Sequence, residues 1–291
     1  GWMKQKSVDI GNDGELDFDR IDLNEELEAS RLRIADVNQD TYPDIVAILE
    51  DGVLCWWEQL VTEASTPEFT LHVIDEEIGN AYYQSLRVVN LDADAQLEII
   101  VGQRNALVFD NDGEQNFTSI QVHELDLYEV TQTHTQDMDG DGDVDFVLSS
   151  LSDLLVWYEN TGSNQWNPHF VAFAFRDVEV MKMVDFNNDG YLDVVFGNSY
   201  GDVAWVEYVA ENDYRPHFLK RISSFSDLSV LDLDGDGDLD VVVSTYTVSL
   251  ADPNELRWFE MQEGQVLTDH LISSDVAFFK FKTMDLDADG D

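Results

Sequence analysis

Residues 232–240 read Asp232-Leu233-Asp234-Gly235-Asp236-Gly237-Asp238-Leu239-Asp240, which puts carboxylates at positions 1, 3, 5, 7 and 9 and a glycine at position 6. Alternate acidic side chains converge on one centre when position 6 permits a sharp turn, and the carbonyl of position 7 adds another oxygen. A hard cation is what such a donor set holds. Calcium, with six to eight oxygens at about 2.3–2.6 Å, suits it better than magnesium, which demands a smaller and stricter octahedron.

The segment recurs. Asp137, Asp139, Asp141, Asp143 and Asp145 repeat the whole pattern, as do Asp185, Asn187, Asp189 and Asp193, with Tyr191 offering its carbonyl at position 7. Asp36, Asn38, Asp40, Tyr42 (through its carbonyl) and Asp44 keep the ligands but have Thr41 in place of the glycine. Asn90, Asp92, Asp94 and Glu98 also lack the glycine, with Ala95 there, and metal binding by this loop stays open. A last copy supplies Asp285, Asp287, Asp289 and Asp291, and the chain ends before its ninth position. The same opening residues occur in EF-hand loops, which need an acidic residue at position 12. Here position 12 is Ala47, Val101, Leu148, Phe196 and Val243, each inside a strand-like run, so the EF-hand reading fails.

The elements around the loops repeat too. Successive loops start 54, 47, 48, 47 and 53 residues apart. Each complete loop is followed by a short β-branched run such as Ile45-Val46-Ala47-Ile48 or Val241-Val242-Val243. A third segment follows, centred on Trp56, Trp157, Trp205 or Trp258, with Val108-Phe109 as its counterpart in the second repeat. A fourth carries His72, His123, His169, His217 or His270. Short runs with turn chemistry between them and no long helical period predict strands. Four strands per repeat, A to D, is the unit of a β-propeller blade, which buries its faces only against neighbours. The predicted fold is therefore all-β, a β-propeller of four-stranded blades. Blades span 26–77, 78–126, 127–174, 175–222 and 223–274, with strands C and D of a partial blade at 1–25 and the start of another at 275–291. Five complete and two partial blades fit a ring of six or seven in one domain, and the chain reads as processed or partial.

The Asp-x-Asp-x-Asp-Gly-x-Leu-Asp loop, the Val-Val-Val run and Trp157-Tyr158-Glu159-Asn160 together resemble the FG-GAP/VCBS repeats found in integrin α-subunit propellers and many secreted bacterial surface proteins. The resemblance spans essentially the whole chain and is most specific in the third to fifth loops. It implies an extracellular propeller, usually of seven blades, with one calcium loop between strands A and B. It names no ligand.

Composition narrows the partners. With 61 acidic against 15 basic residues in 291, the chain cannot neutralise a nucleic-acid backbone and is disfavoured at an anionic membrane. No run is long enough for a membrane helix. The 23 acidic residues in the loops explain much of the excess, and a salt-rich environment is a reading for the rest. Cys55, in an apolar run, reads as a buried inert thiol.

Strand alternation puts the A–B loops and the C–D turns at one end of each blade, and the B–C and D–A loops at the other. The second end, with strand A, gathers the candidate ligand residues Tyr82, Tyr83, Arg104, Tyr128, His134, Phe175, Arg176, Tyr200, Arg221 and Tyr246. The expectation is a secreted or cell-surface binding or adhesion module for a glycan or an extracellular protein. The competing expectation is a polysaccharide lyase or hydrolase built on a propeller or carrying one. It would use His134 with Arg176 or Tyr200, and no nucleophile–base pair or Cys/His cluster supports it. The repeated histidines read as local packing partners rather than ligands.

Overall fold

A computed structural model of the chain describes residues 2–5, 18–21, 28–60, 67–79, 84–92, 94–122, 129–152, 154–162, 164–173, 177–210, 213–246, 254–274 and 280–283. They fall into two compact units, Gly1–Asn80 and Ala81–Asp291. The first unit holds a hairpin of β1 (Trp2–Gln5) and β2 (Phe18–Ile21). Its other sheet has β3 (Ala29–Ala35), β4 (Asp44–Leu49), β5 (Leu54–Leu60) and β6 (Glu68–Asp75) paired antiparallel in chain order. The second unit holds four more sheets of the same kind. They are β7 (Ser85–Val89) to β10 (Phe117–Gln121) with β8 (Glu98–Gly102) and β9 (Ala106–Asn111) between, then β11 (Val130–Gln136), β12 (Asp145–Ser150), β13 (Leu154–Asn160) and β14 (Trp166–Phe173). Next come β15 (Val178–Val184), β16 (Asp193–Asn198), β17 (Asp202–Ala210) and β18 (Asp213–Arg221), and last β19 (Phe225–Leu231), β20 (Asp240–Thr245), β21 (Glu255–Gln262) and β22 (Gln265–Ser274). The described fold is all-β, with five blade-like four-stranded sheets whose strands match the A–D reading. No helix among the described residues is long and apolar enough to cross a membrane.

The second strand of every four-stranded sheet is buried along its whole length, and this explains its unbroken apolar run. Side chains alternate between faces along a strand, so an apolar run needs a neighbour on each side. In the second unit the two middle sheets are flanked on both sides. Phe146 and Leu148 of β12 pack with Ile100 and Val108 of the preceding sheet. Val147, between them, packs with Met181, Phe196 and Val206 of the following one. Val195 of β16 turns the other way again, onto Phe225, Val241 and Phe259. Space between sheets is tight. A Cβ added at Gly197 would overlap the Phe225 ring of the next sheet, so only glycine fits there. The fourth strands β6, β18 and β22 carry only half-buried and exposed residues, as outer strands do.

A β-bulge interrupts β3, β11, β15 and β19 two residues from the start, so these first strands share one register against their second strands. The hairpin of β1 and β2 pairs Gln5 with Phe18, and residues 6–17 between them lie outside the described residues.

Cys55 on β5 is fully buried, and desolvation, helped by the charge of Asp51, pushes its thiol up to about 12. A thiol reagent should therefore leave Cys55 untouched in the folded chain and react fully in denaturant, the native rate reporting opening of the β3–β6 sheet. Native labelling at the rate of a free thiol would contradict this placement.

Candidate metal loops and their supports

Each of the five described Asp-rich segments closes the hairpin between first and second strands, and its ninth residue is the first residue of the second strand. Those ninth residues, Asp44, Glu98, Asp145, Asp193 and Asp240, are almost fully buried. A buried carboxylate is costly unless it is hydrogen-bonded. Here one oxygen accepts the backbone N–H of position 2 at 2.6–3.1 Å, from Val37, Leu91, Met138, Phe186 and Leu233. In the four aspartates the other oxygen accepts an N–H of the third strand at 2.7–2.9 Å, from Gln59, Asn160, Tyr208 and Met261. One side chain thus joins loop, second strand and third strand.

The other loop oxygens form a ladder of turns. In the first, third, fourth and fifth loops, the position-1 Asp accepts the N–H of position 6 at 2.8–3.1 Å, from Thr41, Gly142, Gly190 and Gly237. Position 3 accepts from position 5 and position 5 from position 7, as in Asp141 N–H to Asp139 and Asp143 N–H to Asp141. Position 6 takes a left-handed backbone, φ 101° at Gly142, 92° at Gly190 and 96° at Gly237. Thr41 is held at φ 77° in the same place, a strained choice for a β-branched residue. Neighbouring loops touch, since Asn188 Nδ2 donates to the Gly237 carbonyl at 3.1 Å.

Three loops bring three carboxylate oxygens within 4.8 Å of one another: Asp137, Asp139 and Asp145; Asp232, Asp234 and Asp240; and Asp92, Asp94 and Glu98. Oxygens on one calcium ion lie at most about 5 Å apart, twice the bond length, so the spacing fits a single ion. Asn38 and Asn187 stand at position 3 of the other two described loops and offer amide oxygens, which accept the Asp40 and Asp189 N–H groups. The Asn90–Glu98 loop differs in chemistry. Asn90 turns its Nδ2 onto the Asp94 carbonyl at 2.5 Å, and Glu98 Oε1 is buried with no hydrogen-bond partner. Burial pushes Glu98 up to about 7. That orphaned oxygen fits a cation-binding role for a loop whose sequence left the matter open. Asp285, Asp287, Asp289 and Asp291 lie outside the described residues.

A second constellation was not assembled from the sequence. In four sheets the third-strand Trp stacks on the fourth-strand His, with ring centroids 4.6 Å apart for Trp56–His72, 4.4 Å for Trp157–His169 and Trp205–His217, and 4.3 Å for Trp258–His270. Each His Nε2 then lies 2.6–2.8 Å from a third-strand Glu, namely Glu58, Glu159, Glu207 or Glu260. Glu58 also accepts Nδ2 of Asn38, position 3 of its loop, at 2.9 Å. The Trp-x-Glu spacing was visible as a repeat, but its partner ten or more residues away appears only once the strands pair. The local reading of His72, His169, His217 and His270 holds; His123 lies outside the described residues.

Of the candidate ligand residues, Arg104, His134, Tyr200, Arg221 and Tyr246 lie among the described residues. Arg221 Nε donates to Asp202 at 2.6 Å within one sheet, Tyr200 is exposed in the turn before β17, and Arg104 sits in the turn before β9. Tyr246 follows β20, and its carbonyl accepts the Ser224 hydroxyl. Tyr82, Tyr83, Tyr128, Phe175 and Arg176 lie outside the described residues. His134, in the middle of β11, is pushed down to about 4 by burial and by the charges of Arg87 and Lys182. At neutral pH it is a weakly basic imidazole, poorly suited to act as a general base.

An FG-GAP-like repeat family model matches residues 185–243, the fourth loop through the strand after the fifth. With the loops described above, the match supports the FG-GAP/VCBS-type repeat family for this chain. No curated protein sequence matches it. Among solved structures, AofleA from Arthrobotrys oligospora is similar at 13% identity and a TM-score of 0.46, over 81% of this chain and 69% of that one. BBS1N in complex with ARL6DN is similar at 8% identity and a TM-score of 0.43, over 82% of this chain and 81% of that one.

Ligand and strut can be separated by substitution. Asp139→Ala removes an exposed ligand and should lower calcium affinity while costing under about 1 kcal/mol in chelator. Asp145→Ala leaves the Met138 and Asn160 N–H groups buried without acceptors and should cost about 2–5 kcal/mol even in chelator. Denaturant titrations of both variants with and without calcium check this, and equal losses in chelator would overturn the distinction.

The buried carboxylates also set a pH dependence. Without metal, desolvation raises Asp145 to about 6 and Asp193 and Glu98 to about 7, from ordinary values of 3.8 and 4.5. The folded chain then holds more protons than the unfolded chain between about pH 4 and pH 7, so its stability falls as pH rises through that window. Excess calcium, which requires the ionised carboxylates, should reverse the slope. Melting temperatures from pH 4 to 7 in chelator and in calcium test it; parallel curves would refute it.

Proposed function

We propose that this chain is a calcium-stabilised β-propeller whose five described sheets are blades, and that it acts as an extracellular binding or adhesion module for a glycan or protein. The observation that carries the reading is the convergence of three carboxylate oxygens within 4.8 Å in repeated loops that the fold has already shaped. The donors are all hard oxygens, the chemistry that calcium prefers. Calcium would relieve the repulsion among neighbouring carboxylates, which with desolvation pushes Asp139 up. Loops this exposed suit the weaker end of calcium affinity, which the millimolar calcium outside cells saturates. The loops belong to the scaffold. Ligand recognition falls to the first strands and to the opposite ends of the sheets, where turns on a rigid frame commonly bind.

Calcium about twentyfold above its dissociation constant adds roughly 2 kcal/mol per occupied loop. The melting temperature should therefore rise by several degrees in calcium over chelator, with magnesium giving much less. An unchanged melting temperature would refute the metal reading. Screening the calcium-loaded chain against glycan and extracellular-protein arrays tests the binding reading, which fails if nothing is retained.

A further inference from the structure

Basic residues are scarce in this chain, and four of its 15 recur at one place in the repeat. Counting back three residues from each loop start gives Arg33, Arg87, His134, Lys182, Ser229 and Lys282, so five of six repeats carry a basic or imidazole side chain at one place. Register confirms the equivalence for those on strands, since Arg87, His134, Lys182 and Ser229 pair with Ile100, Val147, Val195 and Val242, each the third residue of its second strand.

Within the second unit these positions approach one another. The charges of Arg87 and Lys182 both act on His134, so the first strands on either side of β11 present cationic groups toward its neutral imidazole. Ser229 Oγ lies 2.7 Å from Thr283 Oγ1, which brings the 280–283 segment beside β19. Between them lies a cavity of about 670 Å³, lined by Lys182, Lys280, Lys282, Asp227, Ser229 and Phe281 among others. That volume is ordinary for a small-ligand site. Asp227 faces Lys280 at 3.7 Å, and Glu179 also feels the Lys280 charge. Among the described residues neither Lys182 nor Lys282 is ion-paired with a carboxylate. Like charges set side by side in a chain of formal net charge −46 are unfavourable to one another, whereas acids to pair with them are plentiful.

We propose that this cavity binds an acidic saccharide, its carboxylate or sulfate groups held by Lys182 and Lys282. The inference rests on the binding-module reading and names its ligand class and site. Ser229 and Thr283 offer hydroxyls suited to a sugar's own, and Phe281 offers an apolar face. The acidic loops begin three residues further along each strand, about 10 Å away. That is about one Debye length at physiological salt, so their repulsion is screened where the lysine contacts are not.

The test is calorimetric titration of the full chain in calcium with tri-galacturonate as the carboxylate probe, sucrose octasulfate as the sulfate probe and maltotriose as the neutral control. Binding of an acidic probe but not of maltotriose is expected, with at least a tenfold loss in the double variant K182Q/K282Q. Ser229→Lys, which fills the one non-basic position, should tighten it, and melting curves establish that both variants fold. The proposal is overturned if neither acidic probe binds, if K182Q/K282Q binds as tightly as the parent, or if an oligoglutamate peptide binds through these lysines while the saccharides do not. A neutral array ligand still held by K182Q/K282Q would end this proposal and leave the binding-module reading standing; silence of array and probes together would end both.

Discussion

The structure depends on a buried carboxylate that closes each described Asp-rich loop. Asp145 shows the arrangement: one oxygen takes the Met138 N–H inside the loop and the other takes the Asn160 N–H on the third strand. A charge in that position would be expensive in isolation, and paired with two backbone donors it becomes a three-way junction. The loop, the central strand and its partner are fixed together by one side chain. Asn160 then donates Nδ2 to the Leu91 and Val144 carbonyls at 2.5 and 3.2 Å, which carries the junction into the neighbouring sheet.

This arrangement divides labour inside a loop that looks uniform in sequence. Positions 1, 3 and 5 already accept backbone N–H groups, so the turn has its shape from local hydrogen bonds before any cation enters. Preorganisation of that kind lowers the ordering cost of binding. The carboxylates remain crowded, and a divalent cation is the natural relief. Glu98 marks the exception, because its longer side chain reaches the Leu91 N–H with one oxygen and leaves the other buried and unpartnered.

Acids are densest where second strands begin, while Arg33, Arg87, Lys182 and Lys282 each fall three residues before a loop start. The Trp–His stacks and their glutamates occupy the outer strands and join third strand to fourth, so the histidines serve packing there. A first-strand histidine, His134, has cationic neighbours instead and is kept neutral by burial and by them.

The sequence alone determined the four-strand repeat and the loop positions. Both are local signals, a two-residue alternation and a carboxylate spacing that close within nine residues. It also placed Cys55 in the core and read the repeated histidines as packing partners. Tertiary structure decided the rest, because the remaining contacts join residues that pairing and stacking bring together across long separations. Only strand pairing shows that Glu159 meets His169 and that the ninth loop residue is a strut as well as a ligand. Only the stacking of successive sheets shows that Lys182 and Lys282, a hundred residues apart in the chain, line one cavity. The Asp loops announced themselves in the sequence because a cation site built from one turn must be contiguous. A site built from several sheets has no such obligation.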